Sequence, residues 1–83
     1  MTQIELSEKF KIQMKKLKDE AIRSSVRKGL KDLLKDSTIG KSLRYSLKGF
    51  RSMRIGKYRL IYAIEGDMIT VYAFEHRKKV YRG

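Results

Sequence analysis

The stretch FRSMRIGKYRLIYAIE, residues 50–65, decides how this chain folds. Its second half alternates. Tyr58, Leu60, Tyr62 and Ile64 fall on one side of an extended strand, and Arg59, Ile61, Ala63 and Glu65 fall on the other. FRSMRI ahead of it reads as a strand as well, and Gly56 and Lys57 supply the tight turn between the two. EGD at residues 65–67 is a second hairpin signal, and MITVYAFE follows as a third strand. A three-stranded antiparallel meander is the expected C-terminal half.

Working outward, TQIELS near the start alternates, with Ile4 and Leu6 on one face, and reads as a short strand. Ser7 is placed to cap a helix, with Glu8 in its first turn where the helix dipole favours an anion. Phe10, Met14 and Leu17 then recur at spacings of four and three, forming one apolar stripe flanked by lysines. The phase shifts near Lys18 to Glu20, which predicts a bend. A second helix follows, with Ile22, Val26, Gly29, Leu30, Leu33 and Leu34 on one face and Arg23, Arg27, Lys28 and Lys31 outward. Gly29 costs about 1 kcal/mol against alanine in a helix interior; on the apolar face, its expected use is close approach of the first helix. The second helix should end near KDSTIG, where Ser, Thr and Gly cluster. In KSLRYSLKG, Leu43, Tyr45 and Leu47 alternate like a strand, but the segment is also compatible with an irregular approach to the sheet. The expected fold is α+β: a strand, a helical hairpin, then the meander, with both helices on one face of the sheet.

Length and composition bound the rest. An 83-residue chain makes one domain, residues 1–83, and buries roughly 60% of its unfolded surface. There is no cysteine and a single histidine, so a disulfide framework is excluded and neither a metal nor another cofactor is expected. No apolar run approaches the ~20 residues of a membrane span, and MTQIELSEKF is unlike a signal peptide. A cytoplasmic protein without membrane contact is the expectation.

Charge is the strongest global signal. Lys and Arg number 21 against nine acids, a formal net charge of +12. Between Ser37 and Ile64 there is no acid, while Lys41, Arg44, Lys48, Arg51, Arg54, Lys57 and Arg59 fall there. After Glu75 come Arg77, Lys78, Lys79 and Arg82, again without an acid. Sorting of this kind points to a polyanion-binding face. Arg59 sits on a strand among apolar neighbours, so its guanidinium needs an acidic partner, a solvated concavity or a phosphate. Arginine's planar fork suits phosphate. Tyr81 lies among cations that favour its phenolate.

These residues resemble the RelE/ParE toxin superfamily. The resemblance is carried by Arg54-Ile55-Gly56-Lys57-Tyr58-Arg59, by His76-Arg77-Lys78-Lys79-Val80-Tyr81, and by the strand–helix–helix–meander order over essentially the whole chain. RelE-like members cleave messenger RNA in the ribosomal A site, whereas ParE-like members poison DNA gyrase without being nucleases. The resemblance to RelE implies that Arg59 and Arg77 stabilise the scissile phosphate, that Arg54 is a supporting cation, and that Tyr81 positions or deprotonates the attacking 2′-hydroxyl. It implies RNA contacts at Lys48 and Arg51, with Lys57, His76, Lys78 and Lys79 as further candidates. It also implies a cognate acidic antitoxin, a toxin–antitoxin hetero-oligomer, and contact with the ribosome. Where the enterobacterial type alternates two lysines along the first meander strand, this chain has Arg51, Ser52, Met53 and Arg54. A gyrase inhibitor or a cleavage-dead relative on the same scaffold are the alternatives.

Overall fold

The computed structural model describes residues 2–43 and 49–76. In chain order the elements are β1 (Gln3–Leu6), α1 (Glu8–Lys16), α2 (Glu20–Lys35), β2 (Lys41–Ser42), β3 (Arg51–Ile55), β4 (Tyr58–Glu65) and β5 (Met68–His76). They build a five-stranded mixed sheet in the order β1-β5-β4-β3-β2. The meander is antiparallel throughout, closed by the two-residue turns Gly56–Lys57 and Gly66–Asp67. β1 returns to pair with β5 in parallel, and β2 supplies a two-residue antiparallel edge on β3. Among the described residues, no helix is long and apolar enough to cross a membrane.

Ser7 ends β1 and starts α1 with one side chain. Its hydroxyl accepts from the Phe10 amide at 3.1 Å and donates to the Tyr72 carbonyl at 2.7 Å. The cap thereby also fastens the helix start to β5. One turn further on, the Gln13 side-chain carbonyl accepts the Phe74 amide at 2.7 Å. β1 pairs with β5 only as far as Val71, so α1 serves the strand edge that β1 leaves behind.

α2 starts at Asp19, whose carboxylate accepts from the amides of Ala21 and Ile22. Arg23 was expected to point outward. Instead its guanidinium turns back and donates to the carbonyls of Met14 and Leu17, at 3.1 and 3.0 Å. These carbonyls lie at the end of α1, where a cation also suits the helix dipole.

The core lies between the helices and one sheet face. Tyr62, Phe10, Leu33, Leu60, Ile69, Val26 and Val71 are its largest fully buried side chains. Leu60 and Tyr62 are two of the four residues that alternation assigns to one side of β4; Tyr58 and Ile64 pack against them. Gly29 is buried here, but its neighbour is not the first helix. A Cβ at Gly29 would stand 2.6 Å from Cε of Met53 and 3.3 Å from Cδ1 of Ile55. The glycine lets α2 settle onto β3, so the close approach is helix on sheet.

β5 does not alternate strictly. Tyr62 pairs with Val71 and Ile61 with Ala73, leaving Tyr72 as an extra residue in a bulge. The phase resets there: Ile69 and Val71 face the helices before it, and Phe74 and His76 after it.

Candidate nucleic-acid interface

The sheet face turned away from the helices carries the cations. Lys41 pairs with Ser52, Ser52 with Ile61 and Ile61 with Ala73, so these four form one row across the sheet. In the adjoining row Arg54 pairs with Arg59, and Arg59 with Glu75. Paired residues share a face, so Lys41, Arg54 and Arg59 all project to the same side. Arg54 directly opposite Arg59 is a like-charge pair, an arrangement that is unfavourable taken alone. Glu75 is the register partner of Arg59 on β5, and its carboxylate pairs with Lys9 at 3.4 Å.

Beside this row lies a cleft of about 220 Å³ lined by Ile39, Gly40, Lys41, Ser52, Arg54 and Arg59, with Met53 at its edge. Its wall is the segment between α2 and β2, and that wall is held tightly. The Tyr62 hydroxyl donates to the Ser37 carbonyl at 2.9 Å and accepts the Gly40 amide at 3.1 Å. Arg51 donates to the carbonyls of Gly40 at 2.6 Å and Thr38 at 3.0 Å, and to Ser42 Oγ at 3.0 Å. Gly40 is required: a Cβ would sit 2.5 Å from both the Ser52 carbonyl oxygen and the Tyr62 hydroxyl. Asp36 adds a turn, accepting the Thr38 hydroxyl at 2.6 Å and its amide at 3.0 Å. Those Thr38 hydrogen bonds, helped by the Arg51 charge, hold the Asp36 carboxyl below its usual range.

Beyond these rows the face carries Ala63 and then the polar Thr70, Glu65 and Glu5. Strands stand about 4.8 Å apart, so β3 and β5 are separated by roughly 10 Å. Phe50 and Tyr72 flank β4 from those two sides, yet their ring centroids lie 5.1 Å apart, edge to face. The rings therefore reach over β4, which accounts for the burial of Ala63 and Ile61 on a face without a helix among the described residues. Tyr72 keeps part of its ring exposed.

The structure separates several residues that the sequence grouped. Arg54 and Arg59 come together. Arg51 faces the other side of β3 from Arg54 and Arg59, and there its guanidinium donates to loop carbonyls and braces that segment. His76 pairs with Tyr58 on the helix side, its ring 5.5 Å from that of Tyr58, which stacks on Phe74. His76 thus stands on the opposite face from Arg59. Lys57 occupies the β3–β4 turn and lines a groove of about 450 Å³ with Asp19 and Ile22 of the α2 start. Lys48, Arg77, Lys78, Lys79 and Tyr81 lie outside the described residues. Lys41 and Tyr72 are the members that sequence reasoning did not single out; an acid-free window was the only signal for Lys41.

Residues 4–81 match the sequence model of a family described as the ParE toxin of type II toxin–antitoxin systems, parDE. The chain belongs to this family. Solved structures agree on the fold of this ParE-family toxin. The RelBE2 toxin–antitoxin complex from Mycobacterium tuberculosis superposes with a TM-score of 0.79 at 26% identity, over 92% of this chain and 98% of that one. The YoeB–YefM complex from Staphylococcus aureus gives 0.78 at 18% identity, over 93% and 98%. The intact E. coli RelBE complex gives 0.76 at 16% identity, over 92% and 96%. No curated relative matches the chain by sequence. Fold and family together make this the toxin of a type II toxin–antitoxin system, RelE-like in architecture.

Proposed function

We propose that this toxin is a ribosome-dependent endoribonuclease that cuts messenger RNA in the A site and so inhibits translation. The observation that carries the reading is the Arg54–Arg59 pair, two guanidiniums directly opposed across strands beside a cleft. In the proposed reaction the 2′-hydroxyl loses its proton and its oxygen attacks the adjacent phosphorus. The bond from phosphorus to the 5′-oxygen breaks, and that oxygen takes a proton. The products are a 2′,3′-cyclic phosphate and a 5′-hydroxyl. Arg54 and Arg59 stabilise the charge that builds on the phosphorane; fixed cations do this without reorganising during the step. By resemblance, Arg77 joins them on the phosphate and Tyr81 handles the 2′-hydroxyl. The partly exposed Tyr72 ring on the same side of the sheet suits stacking of an unpaired base.

Primer extension on ribosome-bound message tests the reading. A codon-phased cut should appear with ribosomes and this protein together, and with neither alone. Arg59→Ala should slow single-turnover cleavage by roughly 10²–10³, the cost of removing one preorganised donor at a developing charge. Intact message at all toxin concentrations would overturn the proposal. The second reading, inhibition of DNA gyrase, is favoured by the family's being named for ParE; blocked supercoiling with uncut message would establish it. Under either reading the +12 charge calls for an acidic antitoxin, and the relatives solved as toxin–antitoxin complexes support one.

A further inference from the structure

We propose that Lys41 is a phosphate-binding residue of the Arg54–Arg59 cleft, and that the Arg51–Tyr62 brace serves to hold it there. The inference rests on the reading above, in that the cleft takes an RNA phosphodiester. Lys41 stands opposite Ser52, so Arg54 is its diagonal neighbour on the same face. Diagonal neighbours lie about 7–8 Å apart, within the reach of long side chains. Lys41 and the two arginines line one cleft, and among the described residues Lys41 makes no ion pair. Three cations converge, and the acid of the arginine row, Glu75, is on the far side of Arg59. A phosphate oxygen set beside Lys41 and Arg54 takes charge-assisted hydrogen bonds from both.

The support behind Lys41 carries the argument further. β2 is two residues long, too short to fix a side chain by pairing alone. Connections between elements usually run loosely over the surface. This one is tied by four side-chain hydrogen bonds, two at a fully buried tyrosine hydroxyl and two from an arginine that also donates to Ser42 of β2. Those groups are costly to bury unless they are hydrogen-bonded, so the bonds hold the segment in one conformation. The residue delivered to the cleft by that fixed segment is Lys41. A cation held in place needs no ordering when the phosphate arrives, and the enclosing Arg51 is what the segment gains from the strand behind it.

The test uses the full-length protein and a single-stranded RNA oligonucleotide whose 2′-hydroxyls are methylated, so that no cleavage can intervene. Affinity is measured against salt concentration. Each lost phosphate contact lowers the slope of log Kd on log salt by about 0.7 for a single strand. Lys41→Gln should show that loss and Lys41→Arg should keep the wild-type slope. Lys28→Gln, on the exposed face of α2, should also keep it. Thermal melting of Lys41→Gln should match wild type, since the ammonium supports nothing in the fold. Tyr62→Phe should lose the same slope increment, and adding Lys41→Gln to it should lose no more. An unchanged slope in Lys41→Gln overturns the inference, and so does an equal loss in Lys28→Gln, or oligonucleotide binding too weak to measure in the wild type. A Lys41-dependent slope beside uncut ribosomal message would sink the nuclease reading and leave Lys41 in place.

Discussion

Replacing Tyr62 by phenylalanine removes one oxygen from a side chain with no exposed surface. The ring stays in the core and the volume hardly changes. What is lost is a hydrogen bond given to Ser37 at 2.9 Å and one taken from Gly40 at 3.1 Å. Each is worth about 0.5–1.5 kcal/mol net, and an orphaned buried partner raises the cost toward 1–3 kcal/mol. Gly40 is buried and pays the higher figure, whereas Ser37 is half-buried and can recover water. The sum is about 2–3 kcal/mol. A domain of this size melts roughly 4–8 °C lower per kcal/mol, so the expected fall is about 10–20 °C. Total stability of about 4–12 kcal/mol leaves the variant folded at room temperature. Urea unfolding followed by circular dichroism measures the loss, and amide exchange locates it, with Gly40 losing protection first. A change under about 0.5 kcal/mol, with the Gly40 amide still protected, would refute the claim that this hydroxyl fastens the cleft wall.

Two further outcomes follow from the same geometry. Gln13→Leu leaves the Phe74 amide without its acceptor beneath α1, so stability should drop by about 1–3 kcal/mol and exchange at Phe74 should accelerate; unaltered protection there would refute the edge-capping role. Asp36, fully exposed, has its folded-state pKa below the ordinary ~3.9 because of the Thr38 hydrogen bonds and then Arg51. The unfolded chain therefore takes up that proton first as pH falls, so the contribution of Asp36 is complete above about pH 4 and disappears as pH drops through the folded value. Asp36→Asn should flatten this part of the acid-unfolding profile, and superimposable profiles would refute it.

The parts legible in the sequence are those governed by near neighbours. Ser7 as a cap, the stripe of Phe10 and Met14, the alternation of β4 and the glycine turns each depend on a few adjacent residues, and each stands where the pattern puts it. Illegible features depend on what the fold brings from afar. Arg51 reads as one more cation on a basic strand, because the carbonyls that claim it lie 11 and 13 residues away. Arg23 reads as solvated, since nothing local announces the carbonyls at the end of α1. Gly29 was matched to the wrong neighbour because a period names the face and not what covers it. Lys41 joined the cleft only through a two-residue pairing that no pattern of that length can signal.

Tyr72 is the residue of β5 that the ladder does not use, since Val71 and Ala73 take its neighbours' partners. An added residue of this kind bends its strand and steepens the local right-handed twist. The hollow on the cationic side of the sheet is therefore shaped by a residue count as well as by chemistry. Shortening β5 by that one position would keep the inward and outward order of Ala73, Phe74 and Glu75 intact, yet it would flatten the curvature of the face that carries Arg54 and Arg59.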